Sequence, residues 1–595
     1  MKKTAGFFLL LCCFAAVCTL SAAPQRVINT AAGGRVRTLD PAFADDFASR
    51  NLIGAVYDTL LEYDYDARPY KLKPAMLKSM PRASKDFRRY SFELRDDLYF
   101  ASDPVFGGKR EKITSFDVLY SFLRIADARN HSPLYWLFRR RIAGIDDFHA
   151  RSAKLAKGDM RIYDRGISGF VIRSDREFDI ILNAPDPRFL YALAMPNAGI
   201  VPRRAVEHYG ESFARHPVGS GPFVLREWIN DCRIVLERNP DFRREYYPGA
   251  ASPADRKRQL PLADKIVIKL VKQSMTSWML FLQGNLDYQT LDKDNADLAG
   301  GGTLPPVLQK RMIKLWRVPE FEIRYTGFNF SDPRFAGNLK LRQALSLAFN
   351  ADRRIEHSGF QLLPAHGPVP PGVAGFEKDF HNPWSRYDVP KAKKLLAEAG
   401  FPGGIDPATG KALHFTFDQT GNTSSHRQVG ELTRQEFAEL GIEVIPVLNN
   451  NPRFYEKLRQ NKMQLFRLSW IGDYPDAENF LQLFYSGNRD GCNRTGYSDP
   501  VYDRMFEEIM PMPDSPERTE KYKKMVRYLA EKCVWIYEGY PVSWQLNHAW
   551  LENFTPHDFG FARWKYLSVN TALREKLKKT FTPLKLSELA SGTGR

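Results

Sequence analysis

The sequence predicts an α/β protein of more than one domain, with mixed sheets covered by helices. Helical and strand-like patterns alternate from end to end, and strand signals at 413–417 and 442–447 bracket a helical segment, as in a β-α-β unit. Hydrophobic residues make up 43% of the 595 residues and aromatic residues 13%, which is enough to fill large cores. A chain of this length is expected to divide into several domains.

The individual elements follow from caps and from apolar spacing. Helices are predicted at Thr114 with Asp117, at 341–348, at Asp388-Val389-Pro390 and at Ser515-Pro516-Glu517. In the third of these, an apolar stripe with helical spacing runs over 392–399 and Gly400 ends it. Residues 223–228 and 233–237 flank a short turn, which predicts a β-hairpin. The lysine-rich segment from about Thr571 is expected to be peripheral.

The N-terminus has the order of a secretory signal peptide. Lys2 and Lys3 precede an apolar run over 5–17, and the small residues 21–23 follow it. This run is shorter than the ~20 apolar residues that span a bilayer. We expect cleavage near residue 23 and a periplasmic location. Cys18 would permit a lipid anchor, but Val17 stands before it where a small residue is expected.

Without residues 1–23 the chain keeps three cysteines, Cys232, Cys492 and Cys533. In an oxidising compartment one disulfide with one free thiol is possible, and three reduced thiols are equally compatible with the sequence. The sequence does not select the pair.

The net charge is basic, yet it does not indicate nucleic acid. The formal charge of +17 becomes +15 when Lys2 and Lys3 are removed with the leader. Runs such as Arg139-Arg140-Arg141 and Arg256-Lys257-Arg258 lie near acidic residues. An exported protein rarely meets nucleic acid, so we interpret the charge as mostly solvated surface. Attraction to anionic ligands or to a membrane surface is the second interpretation.

Motifs for catalysis or cofactor binding are absent from the sequence. It contains no G-x-S-x-G elbow, H-E-x-x-H helix, P-loop, or G-x-G-x-x-G after a strand, and its eleven histidines are scattered. We therefore predict a protein that is not an enzyme and that has no cofactor and no metal site. Carboxylate pairs for acid–base chemistry stay open, because spatial pairing is invisible in a sequence.

The segment 466–476 is the most informative one for function. If 463–469 is a strand, Arg467 and Asp473 stand near its C-terminal end, where open α/β sheets bind ligands. Asp473 could pair with an ammonium group, Arg467 could bind a carboxylate by two hydrogen bonds, and Trp470 could cover apolar surface. The alternative is a structural salt bridge of Arg467 with a neighbouring acid and a core position for Trp470.

An ordered set of motifs resembles the large peptide-binding proteins of ABC importers, also called solute-binding family 5, over nearly the whole mature chain. The blocks lie at 37–41, 56–62, 90–95 with 117–118, 218–223, 234–240, 327–329, 341–345 and 392–400. The resemblance implies a two-lobed periplasmic-binding-protein clamshell, class II-like, of the large cluster with an extra domain. It implies the divisions 1–23 signal peptide, 24–61 and 195–318 lobe I, 62–194 extra domain, 319–553 lobe II, and 554–595 lobe I return with a tail.

The resemblance also implies roles for site residues. Asp473 matches the carboxylate that pairs with the α-ammonium group of a peptide, and Arg467 matches an arginine that meets the terminal carboxylate. His426 matches a histidine that does so for longer peptides, and Trp470 and Tyr474 complete the ligand-binding set. Some relatives carry a disulfide cysteine beside the tryptophan, where this chain has Ile471.

The implied partners are a peptide ligand and the permease and ATPase of an ABC importer, with the chain itself a monomer. Two alternatives remain at this point. The same fold also serves metal chelates, haem, opines and oligosaccharides, and a secreted hydrolase would belong to another class of protein.

Overall fold

The computed structural model describes residues 24–33, 36–156, 158–291, 303–489 and 491–584. The predicted signal peptide and Cys18 lie outside these residues. Within them, none of the helices has the length and apolarity needed to cross a membrane.

One mixed sheet joins distant parts of the chain. In spatial order, its strands are Val27–Ala32, Lys265–Leu270, Arg233–Arg238 and Phe223–Ile229. The first two strands are parallel, and the last two form the predicted hairpin, which is thereby confirmed. The first described strand thus shares a sheet with strands that lie some 200 residues later in the chain. The sheet can form only when these distant segments meet.

A second, antiparallel sheet is built entirely from residues of the predicted extra domain. In spatial order, its strands are Arg82–Ala83, Arg89–Glu93, Glu177–Ile181 and Phe170–Ile172. The helix Ser115–Ala126 packs against it and begins at the predicted start, where Thr114 and Asp117 form a capping box.

The largest sheet has eight described strands and carries the predicted ligand-binding segment. Its main path runs Tyr288–Thr290, Trp535–His548, Glu322–Phe328, Leu465–Ile471, His414–Thr420 and Glu443–Asn449, with Ile313–Pro319 and Leu362–Leu363 paired to the long strand. His414–Thr420 and Glu443–Asn449 are parallel and are joined through the helix Ser424–Ala438. The predicted β-α-β unit is therefore confirmed.

Small two-stranded pairs and helices complete the described structure. The pairs are Leu61–Tyr63 with Leu72–Pro74, Ile405–Asp406 with Lys411–Ala412, and Leu551–Glu552 with Ser568–Val569. The α-helices are Phe47–Val56, Ser115–Ala126, Ile145–Ser152, Phe189–Ala192, Arg203–Tyr209, Pro253–Arg256, Ser274–Leu282, Pro306–Lys310, Pro333–Ala336, Leu339–Ala348, Ala351–His357, Val389–Glu398, Ser424–Ala438, Asn451–Arg459, Glu478–Leu481, Pro500–Ile509, Pro516–Lys532 and Thr571–Lys578.

Local signals located the helix starts correctly. The side chain of Asp388 accepts from the backbone N–H of Lys391, and Ser515 does the same for Arg518. Both helices have proline in the first turn, where the missing N–H costs nothing. The predicted helix at 341–348 is present as Leu339–Ala348.

Two expectations need correction, and of the two cysteine states that the sequence left open the described structure has the free thiols. The predicted strand 463–469 is Leu465–Ile471, so Arg467 lies in the middle of the strand rather than near its end. The helix Thr571–Lys578 is not peripheral, because Arg574 donates to the buried carboxylate of Asp287 at 2.8 Å. The three described cysteines form no disulfide: Cys232 is exposed, Cys492 half-buried and Cys533 buried. The lobe and domain boundaries remain predictions.

Candidate functional site

The candidate site is organised by the strand Leu465–Ile471. It pairs with Glu322–Phe328 on one side, which places Arg467 opposite Thr326 and Trp470 opposite Ile323. Successive side chains of a strand point to opposite faces of the sheet. Arg467 and Trp470 are three positions apart, so their side chains lie on opposite faces of the sheet. The sheet therefore separates the guanidinium from the indole.

A buried carboxylate holds Arg467 in place. The Nε atom of Arg467 donates to Oε2 of Glu538 at 2.7 Å, and Thr326 donates its hydroxyl to Oε1 of the same carboxylate at 2.7 Å. Burial alone would raise the pKa of Glu538, but the Arg467 guanidinium prevails and keeps that pKa below its ordinary value. The structural salt bridge that the sequence left as an alternative is therefore present.

Arg467 nevertheless opens onto a pocket, since 23% of its side chain is exposed. The pocket has a volume of about 370 Å³. It is lined by Glu322, Arg324, Gln419, Thr420, His426, Tyr455, Arg467, Leu468 and Ser469. Within the described residues the terminal nitrogens of Arg467 have no hydrogen-bond partner.

His426 reaches the same pocket from the first turn of the helix Ser424–Ala438. Its Nδ1 lies 2.7 Å from the hydroxyl of Thr423, and Gln419 donates to its backbone carbonyl at 3.0 Å. Burial, and then the nearby Arg467 guanidinium, lowers the pKa of His426. The structure thus brings together the two residues that the sequence assigned to a carboxylate, although they are 41 positions apart.

Asp473 lies in the loop after the strand, and one side chain fixes that loop. The Oδ1 atom of Asn479 accepts from the indole N–H of Trp470 at 2.9 Å and from the backbone N–H of Asp473 at 3.1 Å. Asn479 is itself 1% exposed. Trp470 is half-buried against the main core. The Asn479 acceptor that it shares with the backbone of Asp473 fixes the position of Asp473.

The burial of the Asp473 carboxyl is only partly compensated. Burial raises the pKa of Asp473, and the Arg50 guanidinium, from the first described helix, and then the Asn479 side chain oppose that rise. The two side chains form no ion pair within 4.0 Å in the described structure. An additional cation close to this carboxyl would stabilise its ionised form, because a nearby positive charge favours that form.

The side chain of Tyr474 is engaged by other residues of the protein. Its ring stacks on Tyr191 with centroids 5.4 Å apart, and its hydroxyl donates to Glu478 at 2.7 Å. Glu478 also lies 3.5 Å from Arg188, whose side chain is 5% exposed. Tyr474 therefore connects the site loop to residues of the predicted extra domain.

The five predicted residues form two groups, rather than one compact site. Arg467 and His426 share the pocket, whereas Asp473, Trp470 and Tyr474 surround the loop. From Arg467 to the strand end at Ile471, four residues rise about 13 Å at ~3.3 Å per residue. Asp473 follows two residues after that end, so the two groups are separated along the strand direction.

Sequence reasoning missed Asn479, Glu538 and Arg50. Asn479 follows the recognised motif by only a few residues, and its acceptor role needs the loop geometry to be seen. Glu538 and Arg50 come from distant parts of the chain and carry no local signal. Among the described residues, no group of three or more His, Cys, Asp or Glu side chains is arranged to hold a metal ion.

Comparison with known proteins places this geometry in context. The profile described as "Bacterial extracellular solute-binding proteins, family 5 Middle" matches residues 71–492. The periplasmic oligopeptide-binding protein OppA of Salmonella typhimurium is 26% identical, with 88% of this chain and 89% of OppA covered. The glutathione-binding protein GsiB of Escherichia coli O1:K1 is 25% identical, with 86% and 88% covered.

A solved structure shares the fold. The DppA protein of Helicobacter pylori, in complex with the peptide STSA, matches with a TM-score of 0.69 and 21% identity, covering 91% of this chain and 98% of that one. The chain thus has the two-lobed binding-protein fold that its motifs predicted.

Proposed function

This chain belongs to the bacterial extracellular solute-binding proteins of family 5, and from that premise we propose that it captures short peptides for an ABC importer. In this proposal the chain works in the periplasm, closes its two lobes over an extended peptide and delivers it to a membrane permease driven by a separate ATPase. It binds its ligand without chemical change.

The observation that carries the proposal is the state of Asp473. Asp473 is half-buried and its pKa is raised, and Arg50 forms no ion pair with it within 4.0 Å. The α-ammonium group of a peptide would supply a charge-assisted hydrogen bond at this point. Such a group occurs on every unmodified peptide, so recognition would be independent of sequence.

The pocket of Arg467 and His426 is the proposed receptor for the other end. The free terminal nitrogens of Arg467 suit the two oxygens of a carboxylate. The separation of about 13 Å along the strand supports an extended ligand of a few residues, which also rises ~3.3 Å per residue. Trp470 and Tyr474 act in the proposal mainly by positioning the Asp473 loop.

Closure of the lobes would follow from contacts that exist only when both lobes meet the ligand. Such a ligand shifts the population towards the closed form by its differential affinity for that form. Backbone hydrogen bonds to an extended peptide would add affinity without selecting side chains.

The first test identifies the ligand directly. Protein purified from its native compartment is denatured, and the released small molecules are analysed by mass spectrometry. A set of short peptides of varied sequence supports the proposal. A single non-peptide species such as a metal chelate, haem, an opine or an oligosaccharide would overturn the peptide assignment, and shortened products of added peptides would indicate a hydrolase.

The second test addresses the ends of the ligand by calorimetry. A peptide that binds is compared with its N-acetylated and C-amidated forms, on the native chain and on Asp473→Asn. Loss of a charged hydrogen-bond partner is expected to cost about 1.5–3 kcal/mol. N-acetylation should weaken binding to the native chain and have much less effect on Asp473→Asn. Equal losses on both proteins would remove Asp473 from the site.

Glutathione, the ligand named for GsiB, is included as a competitor because its amino end carries an ammonium and a carboxylate together.

A further inference from the structure

An exposed basic corner lies on the predicted extra domain, and none of its residues lines the pocket of Arg467 and His426. We define the basic corner as Arg88, Arg139, Arg140 and Trp136, all of which are exposed. Trp136 exposes 44% of its surface, which is unusual for so large an aromatic residue. The proposed function makes no use of this corner, although it contains two of the three residues of the Arg139-Arg140-Arg141 run.

The backbone assembles the corner around Asn183. The N–H of Asn183 donates to the carbonyl of Arg141 at 2.8 Å, and its side-chain amide donates to the carbonyl of Arg140 at 3.2 Å. The guanidinium of Arg88 donates to the carbonyl of Asn183 at 3.0 Å. Two segments far apart in sequence are thereby fixed side by side, and each presents arginine.

Two nearby carboxylates are already engaged by other groups. Asp186 pairs with Arg141 at 2.6 Å, and Asp146 accepts from the hydroxyl of Tyr135 and from the backbone N–H of Arg140. Within the described structure, Arg139 and Arg140 form no ion pair within 4.0 Å. Arg88 lies near the carboxylate of Asp86, so the unpaired positive charge of the corner is that of Arg139 and Arg140.

We propose that the basic corner binds the anionic phospholipid headgroups of a membrane surface. Guanidinium groups bind phosphate oxygens by paired hydrogen bonds, and an exposed indole fits the headgroup layer, where its apolar ring and polar N–H are both accommodated. The combination of an exposed tryptophan with unpaired arginines favours lipid over an acidic protein, for which charge alone would suffice. The net charge of +15 after leader removal adds a general attraction.

Vesicle co-sedimentation of the full mature chain tests the proposal. Vesicles of phosphatidylcholine with one-fifth phosphatidylglycerol are compared with pure phosphatidylcholine, at low and at high salt. Each arginine near an anionic surface contributes about fivefold in affinity. Arg139→Ser with Arg140→Ser should therefore weaken binding to the anionic vesicles by roughly twentyfold or more.

The matched control removes the same charge elsewhere. Arg453 and Arg459 lie on the helix Asn451–Arg459, are exposed and form no ion pair in the described structure. Arg453→Ser with Arg459→Ser should lose much less affinity. Equal losses for the two double variants would show a net-charge effect only and would overturn the proposal.

Trp136 gives a second readout that net charge does not affect. Vesicles with brominated phosphatidylglycerol should quench part of the tryptophan fluorescence of the native chain, and Trp136→Phe should abolish that part. Identical quenching in both proteins would exclude the corner as the contact. Retention of the native chain on immobilised polyglutamate, without vesicle binding, would assign the corner to an acidic protein instead.

Discussion

Arg467 and Glu538 are joined across an intervening strand: the arginine Nε donates to the glutamate Oε2 at 2.7 Å, over the strand Glu322–Phe328. Glu538 is 2% exposed and comes from the long strand Trp535–His548. The contact uses one nitrogen of the guanidinium and directs the remainder towards the pocket. A structural salt bridge and a ligand-binding arginine are thus compatible in a single side chain.

Replacing this carboxylate should affect both stability and binding. Glu538→Gln leaves Arg467 without its counter-charge, and we expect a loss of about 1–3 kcal/mol in the free energy of unfolding. Urea denaturation measures this loss, and calorimetry should show altered affinity for peptides with a free terminal carboxylate. Glu398→Gln is the control, because its ion pair with Lys340 lies at the surface and neither residue lines the pocket. Unchanged stability of Glu538→Gln would contradict the structural role.

The Asn479 side chain should be needed for affinity although it lies behind the loop. Asn479→Ala removes the acceptor shared by Trp470 and Asp473, so the carboxyl loses its fixed position. We expect ligand binding to weaken by about 1 kcal/mol or more for the lost hydrogen bonds.

A second buried asparagine distinguishes this effect from a general loss of stability. Asn493 is also 1% exposed, and it bonds to the carbonyls of Tyr485 and Tyr497 rather than to the loop. Asn493→Ala should reduce the unfolding free energy while affinity stays close to native. If both variants lose affinity equally, Asn479 has no specific role in positioning Asp473.

Peptide affinity should depend on pH through Asp473. Burial raises the pKa of this carboxyl, and only its ionised form pairs with an ammonium group. Affinity should therefore be constant well above that raised pKa and fall as the pH is lowered through it. Calorimetry from about pH 7 downwards, in buffers of different ionisation enthalpy, measures the decline and the protons released on binding. Asp473→Asn should lack this dependence, and a native profile identical to that of the variant would refute the prediction.

Glu320 should make the protein less stable as the pH rises. Burial, and then the neighbouring Glu322, raises the pKa of Glu320 to about 7. The folded state therefore binds the proton more tightly than the unfolded state, and stability falls between about pH 4.5 and 7. Glu320→Gln should raise the melting temperature at pH 8, by an amount equivalent to about 1–3 kcal/mol, with little change at acidic pH. The exposed Glu356→Gln should show no such difference, and a pH-independent effect of Glu320→Gln would contradict ionisation of the buried carboxyl as the cause.

Much of the local structure was predictable because its causes are local. A cap such as Asp388 acts on a backbone N–H three residues away, and the hairpin at 223–238 follows from two strand patterns separated by a short turn. Strand ends were less predictable. The predicted strand around Arg467 begins two residues before the observed one, because the pairing that sets its ends comes from Glu322–Phe328.

The sequence alone determined the α/β class, the main helices and hairpin, and the segment in which Asp473, Trp470 and Arg467 lie. Only the tertiary structure decided that Arg467 and Trp470 serve opposite faces, that Glu538 compensates Arg467, and that Asn479 fixes the loop. Caps, turns and apolar periodicity act over a few residues and are written in order along the chain. Ion pairs and burial depend on which distant segments meet: Arg467 and Glu538 are 71 positions apart, and nothing near either residue encodes the other.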